Sequence, residues 1–364
     1  MSNVFQERGE QLAETVKDFL KTPEFKKWVL PPLILLTVLL LAAYVIFWMP
    51  NTFDTDEKVL IVSRGATFKT VMDSLEAAGV IRSRLTFEFA GRILGYTTSV
   101  KVGKYVFRSG VSNSELLRDL RYGESRNLIP VSIPEGTRMT GIMRRIAQTL
   151  GVNESELVAL CSDSAFIGSL GLDVPNLEGY LLPDTYYFHW QTDEREILTR
   201  LVTAFVGFYD DRLKDRQREM KMTMHEVVTL ASIVEGEAVI DSERATIAGV
   251  YHNRLKKRMR LEADPTIQYI LADGPRRLFY RDLRVNSPYN TYLNYGLPPG
   301  PINNPGRQSI IAVLYPENHD YLFFVADGQG GHRFSKTYGE HQRHVKTFRR
   351  FRREMQKHSQ IGGG

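Results

Sequence analysis

The sequence predicts an α+β protein: a single N-terminal transmembrane helix, a small α+β module, and then a larger mixed α/β domain. Three observations carry this. Trp28 to Phe53 is a stretch of 26 residues without a charged side chain. Short β-branched runs alternate with capped, amphipathic helical segments from Lys58 to Leu150. The part of the chain from Val227 onward joins one apolar helical run, Val227 to Val234, to segments so rich in proline and glycine that no regular element can form there.

A chain of 364 residues has room for two or three domains. Its 43% hydrophobic and 24% charged content excludes a disordered chain. The single cysteine, Cys161, rules out an intramolecular disulfide, so the fold must rest on its core. Between Leu160 and Ser162 it reads as a small buried hydrophobe. The net charge of +5 sits at one end. Residues 1–27 hold five basic and five acidic side chains, whereas His341 to His358 hold seven basic and one acidic. The body between is close to neutral, which disfavours nucleic-acid binding.

Val4, Phe5, Leu12, Val16, Phe19 and Leu20 recur at helical spacing, so the N-terminal tail reads as an amphipathic helix. The uncharged stretch that follows is long enough to span a bilayer. Trp28 and Trp48 stand near its ends, and Pro31 and Pro32 fall in its first turn. No small-residue cleavage site follows it, so it reads as a retained anchor and not a signal peptide. Lys26 and Lys27 precede it, and Asp54, Asp56 and Glu57 follow. The positive-inside rule then puts the N-terminus in the cytoplasm and the rest outside, where ATP-dependent chemistry is disfavoured.

Lys58–Val62 reads as a strand, followed by a helix capped by Thr67 and stopped at Gly79, a second helix at Thr86–Leu94, a strand at Val102–Phe107, and a helix opened by Ser112 or Ser114 and ended by Gly123. A second start follows. Leu128–Ile133 is a strand, Pro134-Glu135-Gly136 a turn, and Thr137 or Thr140 caps a helix through Leu150. The resulting pair of strand–turn–helix units is an internal echo or a chance likeness. Short helices are expected at Asn153–Leu160 and Asp163–Leu170, and one long helix from Glu194 to Met220.

The run Leu230–Ala238, L-A-S-I-V-E-G-E-A, is the centre of the sequence. Thr223 and Glu226 form a capping box before it. Apolar side chains from Val227 to Val234 cover almost every face, so the helix is buried. Gly236 is the expected stop. Glu235 then ends a buried helix, where desolvation and the negative pole of the helix both disfavour its charged form. That suits a proton donor. The competing reading is a structural carboxylate paired with Arg244 or Arg254.

Another helix begins at Asp241 or Ser242 and runs to about Lys257. Ala263–Tyr269 reads A-D-P-T-I-Q-Y, Ser287–Tyr292 S-P-Y-N-T-Y, and Gly296–Gly306 G-L-P-P-G-P-I-N-N-P-G. Long irregular segments inside a domain are usually functional. Pro288 to Tyr295 interleaves rings with amides, which suits a sugar groove, although ordinary turn chemistry would look the same. Ser309–Leu314 is a helix, Tyr321–Ala326 a buried strand, and His332-Arg333-Phe334 begins the next extended piece. His225-Glu226 opens like a zinc-protease motif, but Thr229 stands where the second histidine belongs.

S-I-V-E-x-E, A-D-P-T, S-P-Y-N-T-Y, G-L-P-P-G-P-I-x-N-P-G and F-V-A-D-G-x-G-x-H-x-F-S-x-T-Y-x-E-H, in this order, resemble the endolytic murein transglycosylases of the MltG (YceG-like) family. So does L-E-G-Y-L-L-P-D-T-Y at Leu177–Tyr186. The resemblance runs from Trp28 to Val345. It implies a LysM-like module at 54–127, a linking α+β region at 128–220 and a catalytic domain at 221–345, between a tail at 1–27 with an anchor at 28–50 and a basic tail at 346–364. The implied activity is lytic cleavage of the β-1,4 bond between N-acetylmuramic acid and N-acetylglucosamine in nascent peptidoglycan strands. The implied catalytic residue is Glu235, with Glu237 its rival. Substrate-binding residues are expected among Glu237, Asp264, Thr266, Tyr289, Asn290, Tyr292, Glu178 and Tyr180, and Tyr289-Asn290 resembles a pair whose tyrosine contacts the acid in other lytic transglycosylases. No metal and no cofactor is expected. The implied partners are glycan strands, the inner membrane and peptidoglycan synthases. A two-carboxylate hydrolase and a non-catalytic glycan-binding scaffold are the alternatives.

Overall fold

Strand β1 (Lys58–Val62) turns Leu60 and Val62 inward and leaves Val59 and Ile61 exposed, the period-2 pattern of a half-buried strand. It pairs antiparallel with β2 (Gly103–Phe107), whose inward residues include Tyr105 and Phe107. In this computed structural model, residues 2–52, 56–98, 100–108, 110–123, 126–271, 274 and 276–361 are described. Asp54, used above for orientation, lies outside them. Helix α1 (Ser2–Lys21) is followed by a continuous helix, Phe25–Phe47, whose main, wholly uncharged part is α2 (Leu30–Phe47). It is long and apolar enough to cross a membrane.

Between β1 and β2 lie α3 (Phe68–Ala77), capped by Thr67, and α4 (Arg84–Leu94), capped by Ser83. α5 (Asn113–Tyr122) follows, with a complete Ser112/Glu115 capping box and Gly123 in the left-handed region at its end. Leu75, Phe87, Tyr105, Leu116 and Leu117 form the core of this first unit, residues 1–127 with 189–191.

The second unit comprises residues 128–188 and 192–364, so the linking region and the catalytic region of the sequence reading share one unit. It opens with β3 (Ile129–Ser132), α6 (Met139–Leu150), α7 (Glu154–Leu160), α8 (Ser164–Ser169) and β4 (Thr185–Phe188). β3 and β4 pair antiparallel around the intervening helices, the same plan as β1 and β2. Cys161 is buried beside Met143, and burial pushes its thiol up to about 12. α9 (Glu194–Phe208) and α10 (Asp211–Glu219) replace the single long helix expected at 194–220. Asp210 leaves the helical conformation and accepts from Leu213 N, so it starts a new helix.

α11 (Met224–Glu237) is the buried helix, with Val227 through Val234 all inside. α12 (Arg244–Lys256), α13 (Asp264–Ile270) and α14 (Arg307–Leu314) pack around it. No helix longer than one short turn and no strand forms between residues 285 and 306. The hairpin β5 (Phe323–Ala326) and β6 (His332–Ser335) is covered by α15 (Tyr338–Ile361). β5 is half-buried and not the buried strand expected, because both its faces are only partly covered. α15 runs through the expected boundary at 345/346, so the basic tail continues a packed helix.

Neither Thr137 nor Thr140 caps α6: its N-cap is Arg138, without a side-chain bond. The first free N–H, that of Met139, instead donates to Glu178 Oε1 at 2.8 Å, and Asn304 Nδ2 donates to the same oxygen at 2.9 Å. Glu178 is thus a buried tertiary cap, and desolvation pushes its carboxyl up to about 7. The folded state then holds a proton between about pH 4.5 and 7 that the unfolded chain has lost, so stability falls as pH rises through that window. Glu178→Gln keeps the accepting oxygen and removes the titration. It is expected to make the pH 5 to 8 decline in urea-unfolding stability shallower by on the order of 2 kcal/mol. An unchanged decline would contradict this assignment.

Candidate active site

Glu235 lies in the last turn of α11, with a side chain 7% exposed. The C-terminal pole of α11 does not act on it alone. The first turn of α14 faces it: the N-cap residue Gly306 donates its N–H to Glu235 Oε2 at 3.0 Å, and the Ser309 hydroxyl donates to the same oxygen at 2.9 Å. A carboxylate at a helix N-terminus is favourably placed. Arg244, the first residue of α12, brings Nη1 to 3.0 Å from Oε2 and also donates to Ser309. Of the two arginines considered as partners, Arg244 is the one used. Arg254 is spent on the carbonyls of Leu322, Arg260 and Leu261 and on Glu262. Against the desolvation imposed by burial, Glu235 and Asp241 keep Arg244 charged. All three donors reach Oε2. Among the described residues none reaches Oε1, which is not sealed from solvent.

Gly236 does not stop α11, which continues through Glu237. Its lack of a side chain has another cause. A β-carbon there would lie 2.7 Å from Pro265 Cβ, so the glycine lets α13 close on α11. Glu237 therefore remains helical, on another face from Glu235. It accepts from the Tyr251 hydroxyl at 3.2 Å, and desolvation, reinforced by Asp264, pushes its carboxyl up to about 7.

Glu237 and Asp264 line two adjoining cavities. One, of about 340 Å³, is also walled by Gly136, Arg138, Gly236, Gln268 and Asn303. The other, of about 460 Å³, adds Tyr292, Tyr251 and Arg254. A larger hollow of about 500 Å³ by Leu255, Met259 and Tyr295 contains none of the expected site residues. Glu235 is one position behind the wall of the first cavity, with its Cγ 3.5 Å from where a Gly136 β-carbon would stand.

The other expected residues divide into two groups. Tyr292 faces the second cavity and donates its hydroxyl to Asp264 at 2.5 Å. Tyr289 is half-buried and packs on Tyr269. It is not among the polar partners of Glu235, which are Gly306, Ser309 and Arg244. Glu178, Tyr180, Thr266 and Asn290, expected among the substrate-binding residues, are buried. Their polar groups are used inside the protein. Tyr180 bonds His225, whose other ring nitrogen meets the Pro299 carbonyl. Thr266 bonds the Ala263 carbonyl and Thr291, and Asn290 donates to the Leu283 and Val285 carbonyls.

Three residues were not found by sequence reasoning: Gly306, Ser309 and Asn304. Asn304 is fully buried and ties three motifs together. Its Oδ1 accepts from Gly179 and Leu181, and its Nδ2 donates to Thr137 O and Glu178. Its place in a loop of prolines and glycines, N-N-P-G, is the only local signal it gives.

The site is of a definable class: a mixed α+β domain in which a buried helix presents a carboxyl, oriented by a second helix and an arginine, beside a polar cleft. The YceG-like family model matches residues 60–347, and the chain belongs to that family. It is 31% identical over 307 residues to an endolytic murein transglycosylase of Bacillus subtilis, covering 80% of this chain and 85% of that one. The enzyme of the same name from Streptococcus pneumoniae R6 is 28% identical over 318 residues, 78% of this chain but 57% of its own length. A crystal structure of a YceG-like protein from Listeria monocytogenes superposes with a TM-score of 0.57 at 32% identity, over 79% of this chain and 98% of that one.

Removing the Arg244 guanidinium would leave Glu235 and Asp241 without their cation. Arg244→Ala is expected to cost about 3 kcal/mol in denaturant-unfolding stability. A loss below about 1 kcal/mol would mean that the pair contributes little to the fold.

Proposed function

We propose that this chain is a lytic transglycosylase of peptidoglycan with Glu235 as its single acid–base residue. The observation that carries the reading is the asymmetry of the Glu235 carboxyl: three donors fix Oε2 and leave Oε1 for the substrate. Glu235 protonates the glycosidic oxygen between N-acetylmuramic acid and N-acetylglucosamine. As it becomes a carboxylate, the charge forms where the α14 N-terminus and Arg244 already point, so nothing has to reorganise. Glu235 then takes the proton of the sugar's own 6-hydroxyl, whose oxygen attacks the anomeric carbon and closes a 1,6-anhydro ring. The attack is intramolecular and gains from high effective concentration. No water is consumed, and the proton returns to Glu235.

The apolar helix Phe25–Phe47 is read as a single-pass anchor of the inner membrane with its N-terminus in the cytoplasm. The strand–helix–helix–strand order of the first unit supports the LysM-like reading of residues 54–127. An anchored enzyme meets strands as they emerge, which makes it a terminase of nascent glycans and a partner of peptidoglycan synthases. A second reading has one specific observation in its favour. Glu237 and Asp264 line both cavities, as two carboxylates of a hydrolase would.

The full chain in detergent, given uncrosslinked glycan strands, separates the readings by the mass of the product ends. Wild type is expected to give anhydro ends, and Glu235→Gln to lose at least about a thousandfold in rate. Glu237→Gln is expected to retain cleavage. Reducing ends, with activity abolished in Glu237→Gln, would select the hydrolase.

A further inference from the structure

The turn Pro134-Glu135-Gly136, between β3 and α6, delivers a carboxyl that the mechanism above does not use. Glu135 Oε2 lies 3.7 Å from Arg244 Nη2, while Arg244 Nη1 lies 3.0 Å from Glu235 Oε2. Arg244 also donates Nε to Asp241 Oδ1 at 3.0 Å, so one guanidinium faces three carboxyls. The turn is held in place. Gly136 donates its N–H to the Asn304 carbonyl at 2.9 Å, and its α-carbon side abuts Glu235 Cγ. The Glu135 carboxyl also rests on the backbone of Gly306, where any β-carbon would overlap it. Gly306 is the residue whose N–H holds Glu235. Yet the Glu135 side chain is 47% exposed, against 9% for Arg244 and 7% for Glu235. It reaches the centre from solvent and is not part of the packed core.

We propose that Glu135 is a second carboxyl of the active centre, a positioning residue that competes with Glu235 for Arg244 so that the two carboxyls together retain the proton that Glu235 delivers. This rests on the reading of Glu235 as the acid. Three carboxyls before one guanidinium carry more negative charge than it balances. The groups facing Glu135 are Glu235 from α11, Asp241 and Arg244 at the start of α12, and Arg307 from α14. Desolvation, and next the charge of Glu235, hold the Glu135 carboxyl above its ordinary range, with Arg244 opposing. Without Glu135, the carboxyls left on Arg244 among the described residues would be Glu235 and Asp241. The proton passes from the pair to the glycosidic oxygen and returns from the 6-hydroxyl, so turnover neither gains nor loses one.

The test compares the full chain as wild type, Glu135→Gln and Glu135→Asp on uncrosslinked glycan strands, following kcat/KM for anhydro ends from about pH 5 to 9. Glu135→Gln is expected to move the alkaline limb down by about one pH unit, lowering the rate near pH 8 about tenfold while KM stays within about twofold. Glu135→Asp, which keeps the charge, is expected to recover most of the shift. A profile that superimposes on wild type, or is scaled equally at every pH, would overturn the proposal. So would loss of the fold in Glu135→Gln, because a half-exposed competitor for Arg244 has no packing to lose. Reducing ends from wild type would sink the transglycosylase reading, and the same pH comparison followed through reducing ends would then decide on Glu135. No cleavage by wild type would overturn both.

Discussion

Helix α11 is buried along its whole apolar length, down to the turn that carries Glu235. A helix that ends inside a protein must find partners for its last polar groups, since each one left bare costs about 1–3 kcal/mol. The irregular loop 285–306 donates to the last two turns of α11. Ile302 N donates to the Ser232 hydroxyl, and Asn303 Nδ2 donates to the Ser232 carbonyl. Asn304, one residue on, binds the Gly179 and Thr137 segments to the same spot. A regular strand or helix would have spent those backbone and amide groups on itself. The prolines and glycines of the loop keep them free for α11 and the segments around it.

The charge at the end of α11 has a matching solution. Its own helix pole is unfavourable to an anion, and the N-terminal pole of α14 offsets it. Arg244 adds a full charge from α12. The carboxyl is therefore held by elements from three parts of the chain, each anchored in the core on its apolar side. That arrangement orients one oxygen and leaves the other without a protein partner among the described residues.

The two glutamates of S-I-V-E-G-E show how environment separates like residues. Glu235 turns toward α14 and finds donors. Glu237, two positions on and rotated around the helix, turns toward α13 and finds Asp264 and a hydroxyl. Gly236 between them is helical, and it is small because Pro265 packs against it. A glycine near a helix end looks like a stop in the sequence, but the same residue serves close packing when another helix crosses there.

Local signals in the chain determined most of the elements. The caps Thr67, Ser112, Asn153, Asp163 and Thr223 each bond the backbone N–H that their position predicts. The apolar helix Phe25–Phe47, the burial of α11 and the isolation of Glu235 at its end were legible for the same reason: they depend on side chains a few residues apart. One failure was local: the break at Tyr209-Asp210 follows an N-cap bond from Asp210 to Leu213 N that the charge pattern of 194–220 concealed. The others were non-local, as the α6 cap from Glu178, 39 positions away, shows. The sequence offered Arg244 and Arg254 to Glu235; the choice of Arg244, the partners Gly306 and Ser309, and the approach of Glu135 are matters of tertiary structure. A hydrogen-bond donor has no periodicity by which to announce the distant acceptor it will meet, and only the packing of α11, α12 and α14 into one core decides that meeting.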